Sequence, residues 1–320
     1  MRNHDFNELI CFKTSVGIHA EVSGISYYPI HSHTESTEIL CVLKGTVTVY
    51  DAAIKYTMSP NEVHIFNSGD PHRIVSNDPE SSVLIIQFDK NHFTKYFSKI
   101  KLAYFVAHAT DSAMAHRAEM KYLRFLMAKL YAEYTKPNPS EMVLNEDTKA
   151  LIELLFKYFH DYSYQVDSSK GYAVVRRRNI GQDEDDFNKV YRIADYIESN
   201  FSEKLTLTDI AKQEFLSSAY LSRYIKENIG VTFSELLSIT RCSEAERLLA
   251  ATNKSIDQIA TEVGFSNRGH LHNQFQKWYA TSPSAYRKSV LDDFTKENNI
   301  KYHPIDKDSE NQAIQALLNG

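Results

Sequence analysis

A near-repeat in the last third of the chain restricts its fold more than any other feature. Asp209-Ile-Ala-x4-Leu-Ser-x3-Leu returns as Gln258-Ile-Ala-x4-Phe-Ser-x4-Leu about fifty residues later. Each copy has apolar positions at helical spacing, a short break, a Ser, and a second set at helical spacing. That pattern reads as helix, tight turn, helix. In the first copy Thr208 is the expected N-cap of a helix through Ala211, and Ser217 caps a second helix carrying Leu221 and Ile225. In the second copy Ser255 and Ser266 are the expected caps. Gly264 falls at the turn, where a left-handed backbone is cheap for glycine. Its second helix carries Leu271, Phe275 and Trp278, and a helix over about 232–251 joins the copies.

A helix-turn-helix lays its second helix in the DNA major groove, with residues near the helix N-terminus at base edges. The positions facing away from the apolar stripe are Ser218, Ala219, Ser222, Arg223 and Lys226 in copy one. In copy two they are Arg268, Gly269, His272, Asn273, Gln276 and Lys277. Arg pairs with guanine and Asn with adenine through two hydrogen bonds each. Lys226 and Lys277 lie further along and are placed for phosphates. The plainer alternative is the ordinary polar face of a small helical domain. Charge gives modest help. The chain carries a net −5, yet 189–288 holds thirteen Lys and Arg against eleven Asp and Glu, a net of +2, so the remainder carries −7.

The first part of the chain has another period. Over about 21–88, short runs rich in β-branched and aromatic residues, such as Thr46-Val-Thr-Val-Tyr and Val83-Leu-Ile-Ile-Gln-Phe, alternate with Gly, Asn, Asp and Pro. That spacing predicts a β-sandwich or barrel. Helical spacing then covers 113–134 and, after Lys136-Pro-Asn-Pro, 144–162. These helices either only complete the barrel's core or also pair with a second copy of the chain, a homodimer. Over 165–187 periodicity vanishes and a charged linker is expected. Its Arg176-Arg177-Arg178 either touches DNA backbone or is simply solvated. The expected organisation is α+β: a barrel over 1–112, a helical pair over 113–164, the linker, an all-α domain of two tandem helix-turn-helix units over 188–289, and a 290–320 tail without an assigned role. Three dispersed cysteines, Cys11, Cys41 and Cys242, suit a reducing compartment. The polar N-terminus and the lack of a long apolar run predict a cytoplasmic protein with no membrane partner.

With these residues in view, 190–288 resembles the AraC/XylS family of bacterial transcription regulators. The family's linking-helix pattern is met by Arg241, Ala245 and Leu248-Leu249. The stretch Ile256-x2-Ile259-Ala260-x2-Val263-Gly264-Phe265 and the closing Ser282-Pro283-x2-Tyr286-Arg287 also match. Two positions depart. Leu271-His272-Asn273 replaces an aromatic followed by Ser-Arg, which implies adenine-leaning readout by Asn273. Ala280 stands where the family has Gly.

His31-x-His33-x4-Glu38-x6-Gly45 resembles the first motif of the cupin barrels, and Asn67-x-Gly69-x2-His72 a degraded second one. Two His one residue apart share a strand face. With Glu38 and His72 they make a set able to hold a divalent metal such as Zn, Mn, Fe or Ni; the alternative is a polar remnant that bonds a ligand or itself. Together with Tyr27, Tyr50, Phe66 and Phe88 the same residues are the expected pocket for a small polar effector such as a sugar. The resemblance implies a sequence-specific regulator, an activator in the family's commoner role, and not an enzyme. Its implied partners are double-stranded promoter DNA, a small-molecule effector and RNA polymerase. The competing readings are a metal-dependent cupin enzyme with a helical appendage and a ligand-free dimeric DNA-binding protein.

Overall fold

The computed structural model describes residues 15–51, 54–101, 103–107, 118–160, 162–167, 171–176, 184–296 and 300–319. Cys11, Arg177, Arg178 and the first residues of the helix expected from 113 lie outside them. The chain divides into two compact units. One holds the described residues up to His160 together with those from Asp293 onward; the other holds those within Asp161–Asp292.

The first unit opens with seven strands: β1 (Ile18–His31), β2 (Ser36–Lys44), β3 (Val47–Asp51), β4 (Ile54–Met58), β5 (Val63–Phe66), β6 (His72–Val75) and β7 (Ser82–Asp89). They pair antiparallel in the order β4-β3-β6-β1-β7-β2-β5. β1 is long enough to serve both halves, since Ile18 to Ser23 pair with β7 and Tyr27 to His31 with β6. Side chains alternate along each strand, so the central strands feed two cores. Ile39, Cys41, Val63, Ile65, Leu84, Ile86 and Phe88 face one core. Leu40, Val42, Phe66, Val83 and Ile85 face the interior of the curled sheet, with Val47, Val49, Met58 and Ile74 from the other half. The outer core is closed by α1 (Lys90–Phe93), α2 (Ala118–Tyr134) and α3 (Glu141–Tyr158), through Leu123, Leu126, Met127, Leu130, Leu151 and Leu155. The helical pair thus completes the barrel's core. Tyr122 and Met142 stay exposed on it.

The second unit begins with a hairpin of β8 (Tyr162–Asp167) and β9 (Gly171–Arg176). This corrects the structureless linker expected over 165–187. Runs of aromatic and β-branched residues flank Asp167-Ser-Ser-Lys-Gly171, a strand–turn–strand signal that the neighbouring charge clusters obscure. Seven helices follow: α4 (Glu184–Asn200), α5 (Leu207–Gln213), α6 (Ser218–Ile229), α7 (Phe233–Ala251), α8 (Ile256–Glu262), α9 (Arg268–Tyr279) and α10 (Pro283–Lys296). The pairs α5–α6 and α8–α9 are the two expected units, and α7 joins them.

Local chemistry sets the starts of these helices. Thr206, not Thr208, caps α5, because Asp209 lies three residues on and closes a capping box with it. Ser255 and Gln258 do the same for α8, and Thr232 and Glu235 for α7. Ser217 caps α6 as expected, but α9 is capped by Asn267 rather than Ser266. The second copy carries one extra residue between its Ser and the next Leu, and the helix start moves with it.

The linking helix α7 is the frame of this unit. Leu237, Ile239, Cys242, Ala245, Leu248 and Leu249 are buried along it. Ser238 accepts from Trp278 Nε1 (2.9 Å) and donates to Gln274 (2.8 Å). Glu246, 1% exposed, accepts from the Tyr286 hydroxyl (2.7 Å). Arg241 donates to the carbonyls of Phe201 (2.7 Å) and Glu203 (2.9 Å). The family-matching Arg241 and Tyr286 are therefore struts between helices. Cys41 and Cys242 are fully buried small apolar residues, and burial pushes the Cys41 thiol up to about 12.

After α10 the chain returns to the first unit. β10 (Lys301–His303) pairs antiparallel with β1 at Gly24, Ile25 and Tyr27. Helix α11 (Lys307–Asn319) buries Ile314 and Leu317 in the outer core of the barrel. The segment to which the sequence assigns no role is part of the barrel unit.

Both helix-turn-helix turns bend through the left-handed region, at Phe215 (φ 56°) and Gly264 (φ 84°), and Ala280 (φ 54°) ends α9 the same way. A Cβ at Gly264 would lie 2.6 Å from the Ser202 carbonyl oxygen. The Phe215 ring is 96% exposed, so no packing offsets its strain. Phe215→Gly and Ala280→Gly are each expected to stabilise the second unit by about 1 kcal/mol, and Gly264→Ala to destabilise it by at least as much. Urea unfolding of the three full-length variants checks the opposite signs.

Candidate nucleic-acid interface and barrel site

Helices α6 and α9 are the same device built twice. Each is twelve residues long, with a side-chain N-cap and a left-handed residue after its last turn, Gly230 and Ala280 respectively. Leu221, Tyr224, Ile225 and Ile229 are the buried stripe of α6; Leu271, Phe275, Trp278 and Tyr279 are that of α9. Helical geometry then turns the remaining positions outward. Ala219, Ser222, Arg223 and Lys226 are exposed on α6, and Ser218 is half-buried. Arg268, Gly269, His272, Asn273, Gln276 and Lys277 are all exposed on α9.

The chemistry within each face differs. Arg223, Arg268, His272, Asn273 and Gln276 bond to no other described residue, leaving their donors and acceptors for an incoming surface. The two lysines are engaged. Lys226 Nζ donates to the Gly230 carbonyl (2.9 Å). Lys277 Nζ lies 3.3 Å from Glu235 and 3.9 Å from the centre of the Trp278 ring. Sequence reasoning passed over Tyr220 and His270, exposed in the matching first turns. They occupy equal offsets from Ser217 and Asn267, the true caps, and the misplaced Ser266 cap hid that correspondence.

In the barrel, His31, His33, Glu38 and His72 come together and are all buried. One ligand atom from each lies within 4.8 Å of the others. His31 and His72 donate Nδ1–H to the carbonyls of Pro29 and Asp70, both at 2.8 Å. This fixes the tautomer that leaves each Nε2 with a lone pair. His33 Nε2 and Gln87 Nε2 both donate to Glu38 Oε2, at 3.0 and 2.7 Å. Burial alone would raise the Glu38 carboxyl. The His33 hydrogen bond and the potential of the surrounding imidazoles outweigh it and hold the group well below the usual carboxylate range. Burial, then the neighbouring His31, keeps the His72 imidazole well below the usual histidine range. The cluster is thus an ionised carboxylate beside neutral imidazole nitrogen.

The structure sorts the expected aromatic lining. Phe66 stacks on His72 with ring centres 3.9 Å apart. Tyr28, not Tyr27, lies against His31 (4.3 Å), because a register shift after Ile25 changes which residues enter the interior. Tyr50 points to the outer face, alternating with Val47 and Val49, and holds Arg73 over its ring at 3.9 Å. Phe88 lies in the outer core, because its neighbour Gln87 takes the inward position opposite Glu38. Gln87 is the site residue the sequence reading missed. Its signal is the one polar residue within the apolar run Val83–Phe88.

Residues 210–289 match the helix-turn-helix domain family, and residues 23–88 match the cupin domain family. An uncharacterized HTH-type transcriptional regulator of Staphylococcus aureus strain MRSA252 is 26% identical over 246 residues, covering 77% of this chain and 30% of that protein. The regulatory protein PocR of Salmonella typhimurium is 31% identical over 103 residues, covering 32% of this chain and 34% of that one. The chain thus spans about a third of the length of these curated relatives. The C-terminal domain of AraT, a response regulator from Geobacillus stearothermophilus, is 36% identical with a TM-score of 0.31, covering 32% of this chain and 84% of that domain. The cap-turn-cap geometry repeated in α5–α6 and α8–α9, the struts at Arg241 and Tyr286, and the two family matches lead to one assignment. The chain carries a helix-turn-helix domain over 210–289, resembling that of the AraC/XylS regulators, with a cupin domain over 23–88 ahead of it.

Proposed function

We propose that this protein is a sequence-specific DNA-binding transcription regulator whose barrel senses a small polar effector. The observation that carries the reading is the matched outward face of α6 and α9, with Arg223, Arg268, His272, Asn273 and Gln276 unengaged by other described residues. Arg223 and Arg268 are the guanine readers, Asn273 and Gln276 the adenine readers, and Lys226 and Lys277 swing from their internal partners to phosphates. The regulator acts as an activator, the commoner family role, through contact with RNA polymerase. It works as a homodimer joined by the helical pair, where Tyr122 and Met142 are exposed. A polar effector such as a sugar would find hydrogen-bonding groups beside the Phe66 and Tyr28 rings. No helix among the described residues is long and apolar enough to cross a membrane.

A divalent metal is the first ligand we assign to the barrel. Three imidazoles and one carboxylate form a suitable donor set, and the backbone carbonyls behind His31 and His72 orient them as outer partners of a metal site do. Glu38 Oε1 and His72 Nε2 are buried without a hydrogen bond, a cost that a cation between them would remove. His31, His33, Glu38 and His72 would hold the ion. When bound, it would supply a positive centre tying β1, β2 and β6 together and a Lewis acid for an effector oxygen or nitrogen.

Two measurements test these assignments. Full-length protein is titrated with its own upstream DNA and with random duplex at two salt concentrations. The upstream duplex is expected to bind at least about a thousandfold more tightly, with Arg223→Ala and Asn273→Ala each costing about 1–3 kcal/mol at one base position. Lys226→Ala should weaken both duplexes alike and flatten the salt dependence. Equal, weak binding of all duplexes at low salt would overturn the DNA reading. For the barrel, Zn2+ or Ni2+ at a hundredfold excess over Kd should raise the melting temperature by about 5–10 °C, and His72→Ala should abolish the rise. A wild-type melting curve that ignores both ions would remove the metal.

A further inference from the structure

Residues 301–319 follow the last helix of the second helix-turn-helix unit in sequence, yet they are built into the barrel unit. Their seat is specific. Gly24 leaves the space that His303 fills, since a Cβ there would stand 2.5 Å from the His303 carbonyl oxygen and 2.6 Å from its ring. Ser26 Oγ donates to His303 Nδ1 (3.0 Å), and His303 Nε2 donates to the Ser81 carbonyl (2.6 Å). Both ring nitrogens are therefore engaged by the barrel. Beyond β10, α11 anchors the segment through buried Ile314 and Leu317, and Glu310 accepts from the Tyr131 hydroxyl on α2. The strand that receives β10 also carries the candidate ligand site. β1 pairs with His303 at Gly24 and with Lys301 at Tyr27, and ends in His31, a member of the histidine–glutamate cluster. Register shifts fall on it between Ile25 and Tyr27 and again between Tyr28 and His31. Such irregularities are where a strand absorbs a change of twist or register.

We propose that residues 301–319 form a strap that couples β1, and so the occupancy of the barrel, to the DNA-binding unit through the chain's return from α10. The inference rests on the DNA-binding reading above. Its logic is that of linkage. A ligand that favours one arrangement of β1 favours one seating of β10, and DNA that restrains α10 biases the same seating from the other side. Coupling of this kind is reciprocal, so DNA binding alone must be felt at β1.

The test follows amide hydrogen exchange of the full chain with and without its upstream duplex. Exchange at 24–27 and 301–303 is expected to change about fivefold or more on binding. His303→Ala is expected to diminish that response at 24–27 while the variant still binds the duplex, because α11 continues to hold the end of the strap. A chain that binds the duplex specifically, yet shows unchanged exchange at both stretches, overturns the strap and leaves DNA binding standing. So does a His303→Ala variant with the full wild-type response at 24–27. Failure of the wild-type chain to bind any duplex overturns both readings.

Discussion

The buried polar struts of the linking helix decide what the second unit can be. Two short helix pairs have too little core to set their own mutual geometry, so a third element must hold them in register. α7 does so with groups that satisfy one another. Ser238 takes the Trp278 indole from α9, Glu246 takes the Tyr286 hydroxyl from α10, and Arg241 reaches the carbonyls of Phe201 and Glu203. Each of these polar atoms would be costly if left unpaired, so the struts select one arrangement of helices rather than merely adding stability. Gly264 completes the frame. Its missing Cβ lets the second turn approach the same 201–203 backbone that Arg241 grips. The spacing of α6 and α9, on which any two-site reading of DNA depends, is thus a property of α7.

In the barrel the governing constraint is strand parity. β2, β5 and β7 are covered on both faces, so every residue must suit one core or the other. Inward positions are apolar toward one end and polar where Glu38, Gln87, His33 and His72 meet. A carboxylate 2% exposed survives there because His33 and Gln87 donate to one oxygen while imidazoles surround the other. The arrangement leaves Glu38 Oε1 and His72 Nε2 facing each other at 3.8 Å without a hydrogen bond. That residual cost lies at the point where the proposed cation would remove it.

Much of this was legible from local pattern. The repeat around Ile210 and Ile259 places four helices, Ser217 and Ser255 mark two of their starts, and the His31, His33, Glu38, His72 set assembles as the strand face requires. What escaped was decided by one-residue shifts or by distant chain. One inserted residue moved the α9 cap from Ser266 to Asn267. A bulge put Tyr28 in the interior instead of Tyr27. Period two makes Gln87 and Phe88 mutually exclusive as inward residues, and only the pairing of Gln87 with Glu38 says which one wins. The 301–319 segment escaped for a different reason. A three-residue strand and one amphipathic helix carry no sign of their partner, and the seat made by Gly24, Ser26 and Ser81 lies more than two hundred residues away.

That long-range seat changes how the two units have to be connected. A single linker would make the DNA-binding unit an appendage, with any influence of the barrel limited to the path through 161–183. Here the chain leaves the barrel unit once and re-enters it, so the helical unit is held at both of its ends. Closing so long a loop costs entropy that grows only slowly with length. It must be offset by β10 pairing and by burial of Ile314 and Leu317. A structure that releases this seat regains that entropy, and one that tightens it loses more. In the proposed strap, the second connection is what would convert small changes on β1 into a bias on the helical unit. Such coupling requires only that the seating of β10 differ in free energy between the two states of the strand it pairs with.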